Sequence, residues 1–455
     1  MRVTISETEL GNLEDVLPDT LAVSPDGRRL AYCAEVPHPL AHLTPSFLRE
    51  AALPQGQRIV VDGKPGKRYD YTREGPPVFS PDSQHVAFGA VSGKRWFAVI
   101  DENEAGPYDA VGDIVFSLDS RHVAYAVQRG SRWRVVLDGH ELKEYDAIGG
   151  GTLRFSSNGR FAYVALESGR LMAVVDGQES RAYEGIAQGS PVFSPDGRHL
   201  AFAAFGSGKE WVVLDGQDGP KYTSTLRSVP LFSRDGRLAY FARHSEEQFV
   251  VCDGQEGKPY SVVGRGSLSF SPDSLHLAYL AAADGDGGHM VVDGKEGPIY
   301  GVILKDTFRF SPDSRRMAYG VKGSRGSFWV VDGREGAVHE AISGSPTGFV
   351  FSPDSRRTAY VASRKGKMLF VLDGKEAGVY DVIGAACPAF SPDSKHVALT
   401  VRDGDIWRVV VDGIATGEEY DDVHGPLVFS TPERFHVLVG RDEEVVRVEG
   451  IIDAA

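Results

Sequence analysis

Cysteine is nearly missing: Cys33, Cys252 and Cys387 are the only three in 455 residues. Odd in number, far apart and in no ligand-like spacing, they exclude a disulfide framework and supply no zinc pattern. Three reduced core or strand thiols are expected instead. Long apolar runs are missing as well. Nothing approaches the ~18 consecutive apolar residues of a membrane span, and the stretch from Met1 to Leu10 lacks the basic segment and apolar core of a secretory signal. Positive charge is in deficit, with 49 Lys and Arg against 63 Asp and Glu, a net charge of -14. That balance disfavours a grip on phosphate backbones or anionic lipid. The expectation is a cytoplasmic protein that binds neither nucleic acid nor membrane. Its hydrophobic content of 42% and charged content of 25% are those of an ordinary globular chain.

What the chain has in abundance is a repeat. Val23-Ser24-Pro25-Asp26 returns in related form at Phe79, Phe116, Phe155, Phe193, Phe232, Phe270, Phe310, Phe351, Phe390 and Phe429. The steps of roughly 37 to 41 residues are the interval of propeller blades. Eleven copies of one supersecondary unit share a continuous core, so length here counts repeats rather than separate domains. The reading is one all-β propeller domain over 1–455.

One unit, 113–148, reads as four short β-rich runs separated by turn residues. Strand a (Ile114 to Phe116) leads through a Ser-Pro-Asp-type turn into strand b (His122 to Val127), and strand c (Trp133 to Leu137) ends in Asp138-Gly139. Strand d is read as Tyr145-Asp146-Ala147-Ile148. Pro presets φ in the first turn and Asp with Ser or Gly bonds locally or accepts positive φ, while Asp-Gly is hairpin chemistry. Strand b carries an aromatic in one register, from Tyr32 to Tyr360, and all five Trp fall in strand c. Both read as packing between blades. The Asp-Gly pairs lack the neighbouring ligands of a calcium loop, so no metal and no cofactor is expected. Acids following the strand d tyrosine read as guards of an exposed sheet edge.

The eleventh unit lacks a proper strand d, and Leu13-Glu14-Asp15-Val16 aligns with Tyr420-Asp421-Asp422-Val423, so a strand near the amino terminus is expected to complete the last blade. This favours a single ring, although eleven blades exceed the usual ~4 to 8 and two rings of five and six blades are the alternative. An insertion over 36–57 interrupts the first blade, and Thr44 to Leu53 within it reads as a capped helix.

With Phe193-Ser194-Pro195-Asp196-Gly197-Arg198-His199-Leu200-Ala201-Phe202 as its clearest copy, the chain resembles the TolB-type, WD-repeat-like β-propeller family. The Val291-Val292-Asp293-Gly294-Lys295-Glu296-Gly297 element resembles a bacterial subgroup of such repeats. The resemblance implies a non-catalytic scaffold that binds a protein or peptide.

Three functions are carried forward. The first is binding at the b to c loops, whose Arg95, Arg132, Lys209, Arg325, Lys365 and Arg402 would offer cations to an acidic partner. The second is a glycosidase or lyase working in a central channel. Strand a is mostly small or apolar, so Asp113, Arg154, Asp306 and Arg309 are the only channel candidates, and no paired carboxylates suggest catalysis. The third is a structural subunit of a larger assembly. The recurrent His85, His122, His199, His276 and His396 read as polar strand starts rather than a metal ring, because Arg takes the same slot at Arg29, Arg316 and Arg357.

Overall fold

The computed structural model describes residues 2–12, 16–17, 19–36, 56–225, 228–282, 287–344 and 348–453. These residues are all-β and contain no helix. The expected helix of the 36–57 insertion, and residues 13–15, lie outside them.

Eleven antiparallel sheets of four or five strands follow one another along the chain. In the third, Ala110–Phe116, Val123–Arg129, Arg132–Leu137 and His140–Tyr145 pair in that order. Here the register of strand d differs from the expected one. Asp138 (φ 50°) and Gly139 (φ 80°) form a two-residue reversal with both φ values positive, the turn whose twist matches a hairpin. The chain therefore turns back at once, and strand d ends on Tyr145, opposite Trp133, instead of starting there. The next residues, Ala147–Ile148, pair with Phe161–Glu167 of the following blade. The segment read as strand d thus belongs to two blades.

Each hydrophobic cluster joins two neighbouring sheets, which is why strand b can be apolar throughout. Blades 3 and 4 meet through Ala124, Val135, Tyr145, Leu153, Tyr163 and Val174, with Trp133 packed against them. Blades 8 and 9 meet through Trp329, Phe349 and Tyr360, the two phenyl-type rings of Phe349 and Tyr360 stacked at 6.0 Å. The strand b aromatics and strand c tryptophans are packing residues, as read from the sequence.

The described residues group into two compact units. One comprises Glu7–Ala182 with Leu438–Val448 and holds blades 1 to 4; the other comprises Tyr183–Val437 with Met1–Ser6 and Glu449–Ala455 and holds blades 5 to 10. The eleventh sheet runs Arg2–Asn12, Glu444–Asp453, Arg434–Arg441, Asp422–Val423, with Val428–Thr431 also on Arg434–Arg441. The amino-terminal strand therefore completes the last sheet, as expected of an eleven-bladed β-propeller. The residues that do so are Arg2–Asn12; of the segment aligned with Tyr420-Asp421-Asp422-Val423, only Val16 is described. Val16 bridges Ala34 within the first blade. Glu7 accepts both Arg441 guanidinium N–H groups at 2.6 and 2.8 Å, and Thr4 Oγ1 donates to Asp453 at 3.2 Å.

Candidate functional site

Every blade has two ends, and they differ chemically. At the end holding the Ser-Pro-Asp and Asp-Gly turns, the same bonds recur ten times. The aspartate after strand c, followed by glycine in nine copies and by Glu102 at Asp101, accepts the first N–H of strand b on Oδ1 and faces His or Arg on Oδ2. Asp138 takes Val123 N–H at 2.9 Å and meets His122 Nδ1 at 2.7 Å; Asp373 takes Thr358 N–H at 2.9 Å and Arg357 Nε at 3.0 Å. His85, His122, His199, His276 and His396 are each tied to an aspartate of their own blade. Among the described residues, no three His, Cys, Asp or Glu side chains stand where they would hold a metal.

This end also stitches neighbouring blades. Arg316 Nη1 donates to Ser355 O at 3.0 Å and its guanidinium lies 5.1 Å from the Phe351 ring. The second serine of Ser-Pro-Asp-Ser does more than tolerate its turn. Ser314, at φ 64°, accepts the Asp273 N–H of the preceding blade at 2.9 Å. The serine and backbone donors around each turn aspartate hold its carboxyl below the usual range; Ser391 is the largest such influence on Asp393, which falls to about 2.

At the opposite end lie the b to c hairpins and the segment leaving strand d. The acids after the strand d tyrosine do not guard an edge: Asp109 Oδ2 accepts Gly130 N–H and Asp146 Oδ2 accepts Ser168 N–H, each in the next blade's hairpin, both at 2.7 Å. Two of the nominated cations meet those same acids. Arg95 pairs with Asp109 at 2.6 Å, and Arg132 pairs with Asp146 and, at 2.9 Å, with Glu167. Lys209, Arg325 and Lys365 make no ion pair among the described residues, although the Lys365 N–H donates to Glu340 at 2.7 Å. The Arg402 guanidinium lies 5.8 Å from the Trp407 ring.

The channel candidates fall on or beside strand a. Asp113 accepts Arg73 Nη2 at 2.9 Å and also the Gly151 N–H, tying three successive blades. Arg154 and Arg309 each donate Nη1 to the carbonyl of the residue before, at 3.0 and 2.7 Å, and Asp306 is exposed with φ 61°. Burial holds the Arg309 guanidinium below its ordinary value.

Two cavities lie at this end, both within the 183–437 stretch. One, of about 690 Å³, is walled by Met368, Ile383, Cys387, Trp407, His424 and Leu427. Burial lowers the His424 pKa and raises that of Cys387, whose sulfur accepts the Thr400 N–H at 3.2 Å. That thiol stands where other blades place a hydroxyl, as Thr307 does in accepting the Gly320 N–H at 2.9 Å, so its role is structural. The second cavity, of about 680 Å³, lies between blades 6 and 7 and is walled by Glu246, Glu247, Tyr260, Gly287, His289 and Glu296. Sequence reasoning passed over it, although His289, standing where blades 6 and 8 have Phe249 and Phe328, is its signal.

No family model and no curated protein matches the chain. Solved structures similar to it include a eukaryotic initiation factor (16% identity, 75% of this chain and 98% of that one, TM-score 0.39). Others are TolB from Acinetobacter baumannii (15% identity, 57% and 77%, TM-score 0.26) and the β-propeller domain of the Trilobed protease from Pyrococcus furiosus (13% identity, 61% and 96%, TM-score 0.30). The assignment of the fold rests on the strand topology above.

Proposed function

We propose that the chain is a non-catalytic scaffold that binds a protein or peptide through the b to c hairpin ends of its blades. One observation carries this reading: the two ends of the blades are used differently. At the Asp-Gly end, carboxylates, imidazoles and guanidiniums are consumed by the repeated bonds that hold blades together. At the b to c end, the residue just before the one that faces the strand d tyrosine varies from Arg132 to Lys209, Glu247, Gly287 and Ile406. Loops held by a rigid framework and free to vary are where recognition residues concentrate, and charge presented there selects partners and speeds encounter.

The test compares two charge reversals in the full chain, expressed in its native host and purified with whatever it retains. Lys209, Arg325, Lys365 and Arg402 changed to Glu alter the b to c end; Arg121, Arg198, Arg315 and Arg356 changed to Glu alter the other. The reading expects a partner kept by the wild type and the second variant and lost from the first. Loss from the second alone overturns it.

A further inference from the structure

We propose that the cavity between blades 6 and 7 is a docking pocket for an arginine or lysine side chain of the bound protein or peptide. This names the chemistry of part of the surface assigned above and rests on that reading.

The argument comes from comparing one interblade junction with its equivalents. Where blades 2, 3 and 9 lead into the next, the first residue of strand c is a cation and the residue after the strand d tyrosine is an acid. The pairs are Arg95 with Asp109, Arg132 with Asp146, and Lys367 with Asp381. Where blade 6 leads into blade 7, the aligned residues are Glu247 and Ser261. The cation has become a carboxylate and its counter-ion a hydroxyl. Neither Glu247 nor its exposed neighbour Glu246 makes an ion pair among the described residues.

The space is made by the same substitutions. In the facing strand of blade 7, His289 stands where blades 6 and 8 have Phe249 and Phe328, and Gly287 stands where blades 2 and 3 have Arg95 and Arg132. A side chain at Gly287 is excluded by the backbone, since its Cβ would lie 2.3 Å from Tyr300 O. The void left is about 680 Å³. On its floor the Tyr260 and His289 rings meet edge to face at 5.7 Å; Lys258, paired with Glu296, already lies 5.5 Å from the Tyr260 ring, so the cation sites left open are those facing His289, Glu246 and Glu247. His289 is 5% exposed and its Nε2 has no hydrogen-bond partner, lying 3.7 Å from Glu296 Oε1. Glu296 is itself held below its ordinary pKa, first by Lys258 and then by Tyr260, so the unmatched negative charge sits on Glu246 and Glu247. A guanidinium or ammonium entering from a partner would supply the cation that Glu246 and Glu247 lack, and its N–H groups could reach the unpartnered ring nitrogen of His289.

The experiment measures binding of a fluorescein-labelled hexa-arginine peptide to the full chain by anisotropy at low salt, with hexa-glutamine as the neutral control. Two variants probe the pocket by different routes. His289→Phe removes the buried imidazole nitrogen without changing any carboxylate, and Glu247→Arg supplies the cation within the chain. Each is expected to weaken arginine-peptide binding about tenfold, while a control pair outside the pocket lining, Glu74→Gln with Glu102→Gln, changes it less than twofold. Thermal unfolding confirms that the variants are folded, and His289→Phe is expected to melt no lower than the wild type. Equal binding by wild type and His289→Phe, or an equal loss in the control pair, overturns the pocket. That result leaves native-partner capture at the b to c ends intact, whereas failure of the scaffold reading appears as partner capture insensitive to the b to c charge reversal.

Discussion

Asp138 and His122 form one bond pattern that explains two separate sequence repeats. The aspartate gives one oxygen to the Val123 N–H at 2.9 Å and the other to His122 Nδ1 at 2.7 Å. In five other blades an arginine occupies the histidine's position and reaches the same oxygen through Nε. The Asp-Gly turn and the His or Arg before strand b are thus two halves of a latch between the c to d hairpin and the a to b turn.

Substitution at Asp373 separates the two halves of that latch. Asp373→Asn keeps an oxygen for the Thr358 N–H and tolerates φ 50°, but loses the ion pair with Arg357. The pair is partly solvent-exposed, so screening limits the loss to under about 1 kcal/mol. Asp373→Ala removes both bonds and places Cβ-bearing alanine at positive φ without local compensation, costing about 2 kcal/mol. Denaturant titration of the two variants should rank them in that order.

Ser314 tests the bond between neighbouring blades against backbone strain. Ser314→Ala removes the acceptor for the Asp273 N–H and keeps φ near 64°, so a loss of about 1 kcal/mol is expected. Ser314→Gly loses the same bond but relieves the left-handed conformation, as the natural glycine at Gly197 does. Its unfolding midpoint should lie between those of Ser314→Ala and the wild type.

Acid should weaken the array. Asp82, Asp119, Asp196, Asp273, Asp313, Asp354 and Asp393 all have depressed pKa values, chiefly through the serine two residues before each. A carboxyl whose folded pKa is lowered contributes stability that is present above the unfolded value of about 3.9 and is lost as pH falls through the folded value. Thermal midpoints should therefore drop between about pH 4 and pH 2. Asp393→Asn should flatten the lower part of that fall, since Asp393 titrates at about 2.

The fold was legible because a repeat converts weak local signals into a strong one. A single Asp-Gly or a lone strand b aromatic says little, but the spacing of Tyr125, Tyr163 and Phe202 implies a packed face in successive sheets, and each is buried. Strand d was misplaced because Tyr145 looks like a strand start in sequence. Its position at the far end of the strand follows from the immediacy of the Asp138-Gly139 reversal, which fixes register. The rim cations were visible, but their partners were not: Arg95 meets Asp109 fourteen residues on only because the hairpin folds back. The pocket beside His289 lay beyond reach because it is defined by side chains that are missing relative to other blades.

The central claim is that Arg2–Asn12 completes the sheet formed by Glu444–Asp453 and Arg434–Arg441. Hydrogen exchange followed by mass spectrometry on the 2–12 segment of the full chain tests it most directly. Protection of the strand amides comparable to that of Val123–Arg129, falling when Glu7→Arg breaks its contact with Arg441, is the predicted result. Exchange of the 2–12 amides at the rate of an unstructured peptide would contradict the pairing of the amino-terminal strand in that sheet.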